Sequence, residues 1–430
     1  MNNRPIALDL FSGCGGMSLG LEAAGFDIAA AVEIDPIHSL VHHYNFPYGV
    51  TICQDICNLS GEIILNKIKS KGFKDDIDLI AGGSPCQGFS YIGKRQLADP
   101  RNRLVFEYVR LVLEIKPKYF IFENVPGIIT GKHQEFFHQL IQHLENNNYF
   151  TVKPPQILDA SLFGAPQRRK RLILVGYRKD MKPLRYPLPT HGKNPDLLPF
   201  TTVAEAISDL SLIPVFIGKD EGIDVSQLDY KNFRQNLAIS PQGIYTLCHK
   251  RAVNNFIWGH LGSKHTPRCR KRFHQTNPGK VEKVSHFFKL APDGLSNTLR
   301  AGTARNRGAF TAPRPIHYQI PRCISIREAA RLHTFPDWFQ FHRTIWHGFR
   351  EIGNAVIPLL AKSLGTEIIK ALRASHDSEI DLSAIKVRKL KSVDDSILYY
   401  NMKQASLFWQ VPNNVIPQRQ RFSLSNKKLN

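Results

Sequence analysis

The stretch DLIAGGSPCQGFS, residues 78–90, closes an apolar run with two glycines and then presents one thiol, Cys86, behind Pro85. An apolar run ended by glycines reads as a buried strand turning into a tight loop. A cysteine on such a loop is placed for nucleophilic attack, which the thiolate performs. Taken alone, a cysteine is more often a small core residue, so the rest of the chain has to decide. Glu123 closes a second apolar run, YFIF. A carboxyl at the mouth of a buried strand can hydrogen-bond a substrate nitrogen. QRRKR, residues 167–171, sets four consecutive basic residues before the strand-like LILVGY. Such a cluster suits an anion, or the anchoring of catalytic carboxyls.

Two further groups suit a nucleotide-like cofactor. DLFSGCGG follows a strand and opens a helix, and Gly13, Gly15 and Gly16 let backbone approach a ligand at the helix N-terminus. Glu33 ends the next strand in VEID, where a carboxylate can accept both hydroxyls of a ribose. Asp55, in CQDIC, can accept an adenine amino group. No metal site is expected: Cys53 and Cys57 lack a matching ligand pair, and Cys248, Cys269 and Cys323 are isolated.

These groups need a frame that brings strand ends together. IALDLF, IAAAVEI, IDLIAGG, KYFIFENV and KRLILVGYR read as strands, and residues 17–24, 36–44 and 104–115 as helices. Alternating units of this kind predict an α/β fold with a mostly parallel sheet wrapped by helices and its ligands at the carboxyl ends of the strands. At about residue 185 the texture changes to RYPLPTHGKNPDLLPF, rich in proline and polar residues. The expected organisation is therefore a catalytic and cofactor-binding part over 1–184 and a smaller irregular domain over 185–312. The first domain then returns over 313–374, and a basic extension follows over 375–430.

Net charge is +21, from 57 Lys and Arg against 36 Asp and Glu. Seven basic residues and one acid, Glu282, lie between Lys264 and Lys283, and nine against two from Lys386 onward. That excess points to a polyanionic partner, most simply nucleic acid. No apolar run reaches bilayer length, the first strand begins too early for a secretory signal, and seven scattered cysteines form no disulfide framework. A cytoplasmic protein is expected.

In the order DLFSGCGG, VEID, SPCQGFS, FENVPG, QRRKRLILVG, IREAARLHTFPD and GNAV, the motifs resemble the DNA (cytosine-5) methyltransferase family from Ile6 to about Leu372, the insertion excepted. The resemblance implies a Rossmann-like S-adenosylmethionine-dependent methyltransferase domain with a target-recognition domain at 185–312. Cys86 would be the nucleophile that adds to carbon 6 of a cytosine flipped out of double-stranded DNA. Glu123 would hydrogen-bond ring nitrogen 3 and the exocyclic amine. Arg169 is expected near the cytosine carbonyl, and Arg171 is expected to brace Glu123. Phe11, Gly13, Glu33, Asp55, Pro85, Asn354 and Val356 match cofactor positions. Gln87 and Ser90 match positions facing DNA, as does Thr298 at the end of the recognition region. Arg268, Arg270 and Arg272 in SKHTPRCRKRF are candidates for guanine contacts. TLRAGT through FTAPRPIHY, with WHGFREIGNAV, looks like a subgroup that modifies GGNCC or GGWCC. A monomer working beside a restriction endonuclease is expected. An RNA cytosine-5 methyltransferase on the same fold would carry Cys-Phe-Thr and a small insertion. A non-catalytic DNA-binding relative would have lost Cys86 or Glu123. This sequence fits neither.

Overall fold

A computed structural model describes residues 4–85, 103–131, 133–224, 256–303, 313–375 and 393–412. The first half alternates β1 (Ile6–Leu10), α1 (Gly16–Ala24), β2 (Asp27–Glu33), α2 (Pro36–Asn45), β3 (Val50–Cys53), α3 (Gly61–Ser70), β4 (Leu79–Gly82), α4 (Arg103–Ile115), β5 (Tyr119–Asn124) and α5 (His133–Asn146). β6 (Tyr149–Thr151), β7 (Gln156–Asp159) and β8 (Lys170–Arg178) complete an eight-stranded sheet of order β3-β2-β1-β4-β5-β8-β6, with β7 also on β8. The first five strands are parallel. β8 runs antiparallel to β5, β6 and β7, a reversal absent from the expected alternation.

Both faces of the sheet are covered, so its strands read as continuous apolar runs. Successive side chains point to opposite faces. Leu8, Ile80, Phe120, Phe122 and Leu172 pack with Val105, Val109 and Val112 of α4. Ala7, Leu79, Ile121 and Ile173 pack on the other face. That second face is closed by α1 and by α10 (Pro358–Ser375), which supplies Leu360, Leu364 and Ile368. The two helices approach closely enough that a Cβ on Gly20 would lie 2.3 Å from the Pro358 carbonyl oxygen.

The rest of the chain adds α6 (Val203–Ile207), the short antiparallel pair β9 (Ile223–Asp224) and β10 (Phe256–Ile257), α7 (Pro267–Gln275), α8 (Ile326–Leu332), α9 (Ile345–Asn354) and α11 (Met402–Trp409). Its packing is not separate from the first half. Val203, Ile207, Leu261 and Leu290 share one core with Leu40 and Val41 of α2 and with Phe335 and Phe339. Arg331 is fully buried and pins this junction through Asp337 and Asp209.

Part of the expected C-terminal extension also belongs to the core. Ile397, Leu398 and Ala405 are buried beside α2. Trp409 Nε1 donates to the Pro36 carbonyl at 3.1 Å, and Tyr399 donates to the Asp220 carbonyl at 2.9 Å. A polar stretch with a few well-spaced apolar residues docks because those residues find a partner helix. Among the described residues no helix is long and apolar enough to cross a membrane.

Candidate active site

The parallel strands end on one edge, and the order β3-β2-β1-β4-β5 reverses between β1 and β4. Open sheets of this kind bind ligands in the crevice at that switch point. Phe11 and Gly13 leave β1 there with φ of 62° and 55°. This left-handed region is unusual for a phenylalanine and turns the loop sharply. Gly13 N donates to Glu33 Oε2 at 2.9 Å, and Asp35 N to Glu33 Oε1 at 2.8 Å. Burial, with the charge of Asp35 added, pushes the Glu33 carboxyl up to about 7. Asp55 follows β3 and caps the turn Ile56–Asn58 through Cys57 N at 3.0 Å. Asn354, exposed at the end of α9, and the buried Val356 close the same edge. A Cβ on Gly16 would lie 2.3 Å from the Val356 carbonyl oxygen, so the glycine loop and the Val356 backbone touch only because Gly16 has no side chain. Phe11, Gly13, Glu33 and Asp55 are partly exposed around this edge, a lining that fits an adenosine-type cofactor.

On the other side of the switch point, β4 runs out through Gly83, Ser84 and the exposed Pro85. Cys86, Gln87 and Ser90 lie outside the described residues. Gly82 pairs with Phe122, so the exit of β4 lies beside Glu123. A Cβ on Gly83 would sit 2.7 Å from Glu123 Oε2. Asn124 Nδ2 donates to the carbonyl and hydroxyl oxygens of Ser84, each at 3.3 Å, and holds that exit. Arg171, on β8, places its Nε 2.8 Å from Glu123 Oε1. Oε1 is thus tied to the guanidinium, while Oε2 faces the loop that leads to Cys86.

Arg169 departs from expectation. Its guanidinium donates to the carbonyls of Leu299, Gly353 and Ala355, each at 3.0 Å, and the residue is 3% exposed. It ties β8 to the Leu299 segment and to the end of α9. Arg169 and Arg171 lie two apart, but remote carbonyls capture only the first.

A family model described as C-5 cytosine-specific DNA methylase matches residues 7–370. The chain belongs to that family. The methylase is similar to type II methyltransferase M.XorII of Xanthomonas oryzae pv. oryzae, at 45% identity over 97% of this chain and 95% of that one. It is also similar to M.DdeI of Desulfomicrobium norvegicum, at 31% identity over 90% and 94%. A solved structure of a prophage-encoded E. coli protein, classed as a DNA modification methyltransferase, superposes with a TM-score of 0.73. Identity there is 33%, over 86% of this chain and 99% of that one. The methylase is therefore an enzyme of the type II class that acts on cytosine carbon 5 in DNA.

The candidate DNA-facing residues are scattered in role. Arg268 and Arg270 are exposed on α7, whose Phe273 is buried and anchors the helix. Arg272, partly exposed on the same helix, pairs with Glu282 at 3.2 Å. Thr298 donates its hydroxyl to the Arg168 carbonyl at 2.7 Å, at the seam between the two parts of the chain.

Sequence reasoning missed Asp9, Asn124 and Glu351. Asp9 is buried in β1, and its Oδ2 accepts from Ser18 N and Ser18 Oγ. Burial pushes its carboxyl up to about 7 despite those bonds. A lone acid inside an otherwise apolar strand is a signal that could have found it.

Proposed function

We propose that this methylase converts cytosine to 5-methylcytosine at one short site in double-stranded DNA, with the target base turned out of the helix and Cys86 as the nucleophile. The observation that carries this reading is Glu123, gripped at Oε1 by Arg171 with Oε2 against Gly83, three residues before Cys86. A carboxyl so aimed can hydrogen-bond ring nitrogen 3 of a cytosine while the thiolate bonds to carbon 6. Electron density then collects at carbon 5. S-adenosylmethionine, when bound, supplies an electrophilic methyl group to that carbon. Loss of the carbon-5 proton afterwards reforms the 5,6 double bond and releases the Cys86 thiolate.

The cofactor reading rests on Phe11, Gly13, Glu33, Asp55, Pro85, Asn354 and Val356, with Glu33 the acceptor for ribose hydroxyls. Base turning follows from geometry, since a stacked base hides the faces that the thiolate must reach. Unpairing costs a few kcal/mol, which phosphate contacts from the basic surface offset. GGNCC and GGWCC remain the candidate targets, and protection of the same site from a cognate restriction endonuclease is the role proposed for the modification.

Methyl transfer from labelled S-adenosylmethionine to unmethylated plasmid DNA, with base-resolved mapping and Cys86→Ser in parallel, tests this. Carbon-5 methylation at one motif, abolished by the substitution, is expected. Full activity of Cys86→Ser, or transfer to RNA and not to DNA, would overturn it. A mapped motif other than GGNCC or GGWCC removes the subgroup assignment alone.

A further inference from the structure

We infer that Glu351 is a positioning residue for the cofactor site, its buried carboxyl set where the glycine loop, the Glu33–Asp35 corner and the end of α9 meet. The inference rests on S-adenosylmethionine binding at that site. Glu351 is 1% exposed. Its backbone carbonyl accepts from Cys14 Sγ at 3.6 Å and from Ala355 N at 3.1 Å, so it touches both the loop after β1 and the turn that carries Asn354 and Val356. Its Oε2 accepts from His342 N at 3.0 Å. Its Oε1 has no hydrogen-bond partner among the described residues, and neither do Asp35 Oδ2 and His347 Nδ1. Asp35 is also buried and leads back to Glu33 through its own N–H.

The groups around the two carboxyls come from three sides: His38, 4.0 Å from Asp35 Oδ2, at the start of α2; Cys14, from the glycine loop, on the Glu351 carbonyl; and His342 and His347, with ring centroids 4.8 Å apart, together with Arg350, from α9 and the residues before it. Arg350 lies 3.9 Å from Asp35 Oδ2. Burial opposes ionisation of Asp35, but the charges that His38, Arg350 and His347 carry in the acid range where Asp35 titrates outweigh it and hold Asp35 below the usual carboxylate range; at neutral pH the Arg350 charge persists. Burial, aided by His347, pushes His342 down to about 4, and burial alone leads the fall of His347 to about 4, so neither ring is charged at neutral pH. Burial, opposed by the His342 N–H and reinforced by Asp35, pushes Glu351 up to about 8. Two carboxyls sharing a dry site do not both ionise. At neutral pH, Asp35 is the anion and Glu351 is neutral. Above pH 8 a second carboxylate opposes Asp35 and competes for Arg350, loosening the junction of the three cofactor-lining segments.

The test is S-adenosylmethionine affinity by calorimetry from pH 7 to 9.5 for wild type, Glu351→Gln and Asp35→Asn, with KM and kcat measured separately and thermal unfolding as the folding control. Wild-type Kd is expected to rise about tenfold between pH 7 and 9. Glu351→Gln, a permanently neutral mimic, keeps the pH 7 affinity and loses that alkaline rise, with KM rather than kcat following the change. Asp35→Asn, which removes the opposing charge and can still cap α2, shrinks the rise. The ligand's own amine titrates equally in all three proteins, so the difference between them isolates Glu351. Superimposable profiles in wild type and Glu351→Gln overturn the inference. Absence of binding by wild type at every pH overturns the site reading beneath it.

Discussion

Replacing Arg169 separates a structural guanidinium from a catalytic one. Three carbonyls, on Leu299, Gly353 and Ala355, each accept from it at 3.0 Å. Hydrogen bonds to a charged group contribute about 1.5–3 kcal/mol each, so three bonds set a ceiling of roughly 4–9 kcal/mol. The cost of drying the guanidinium offsets part of that sum, and each buried carbonyl left without a donor costs about 1–3 kcal/mol before relaxation. Arg169→Met keeps volume and leaves three buried acceptors without a donor. It should lower stability by about 3–5 kcal/mol, the low end for three unsatisfied acceptors, seen in denaturant unfolding as a lower midpoint with little change in slope. S-adenosylmethionine affinity should fall with it, because Gly353 and Ala355 flank Asn354. Arg171→Lys provides the contrast. Arg171 makes one ion pair, to Glu123, and reaches its neighbour's carbonyl. Lysine keeps the charge but not the planar fork, so kcat should fall about tenfold to a hundredfold while unfolding stays near wild type. An Arg169→Met protein with wild-type stability and a collapsed kcat would refute this division and return Arg169 to the substrate.

Three other perturbations follow from the same geometry. Gly83→Ala puts a Cβ 2.7 Å from Glu123 Oε2 and should turn that oxygen away, cutting kcat at least about tenfold by steady-state assay while stability changes by less than about 1 kcal/mol. Glu33, pushed up to about 7, should make cofactor binding weaken as pH falls below 7, because the protonated carboxyl offers ribose hydroxyls fewer acceptors. In the ligand-free protein the sign is opposite: a raised carboxyl contributes stability that is full below its unfolded pKa and is lost as pH rises through about 7. Glu33→Gln should flatten both trends in calorimetry and thermal unfolding. Truncation before residue 393 removes the buried Ile397 and Leu398 and should cost about 3–6 kcal/mol of stability in denaturant unfolding; a protein that unfolds as wild type and loses only DNA affinity would return the whole segment to the role of a tail.

β1, β2, β4, β5 and β8 were legible because each carries a buried apolar run, whereas the short, partly exposed β6 and β7 were not read. β8 spans the KRLILVGYR stretch end to end. Its direction was not legible, since nothing inside a run of Leu, Ile and Val states which neighbour it joins or how. α5, HQEFFHQLIQHLEN, escaped notice for a related reason. Its polar face outweighs the few positions, such as Leu140 and Leu144, that reach the core. The same limit explains the two arginines. Alternation on a strand puts Arg169 and Arg171 on one side, so local pattern gives them one role. What divides them is the set of acceptors supplied by residues 299, 353 and 355, at least 130 positions away. Glu351 is a sharper case. Its position in REIGNAV is visible in the chain, but its chemistry depends on Asp35, more than three hundred residues earlier, and on the His342 N–H. Strand ends announce the groups they present, whereas the aim of Glu123 comes from Arg171 on a neighbouring strand and the protonation of Glu351 from its burial, Asp35 and the His342 N–H.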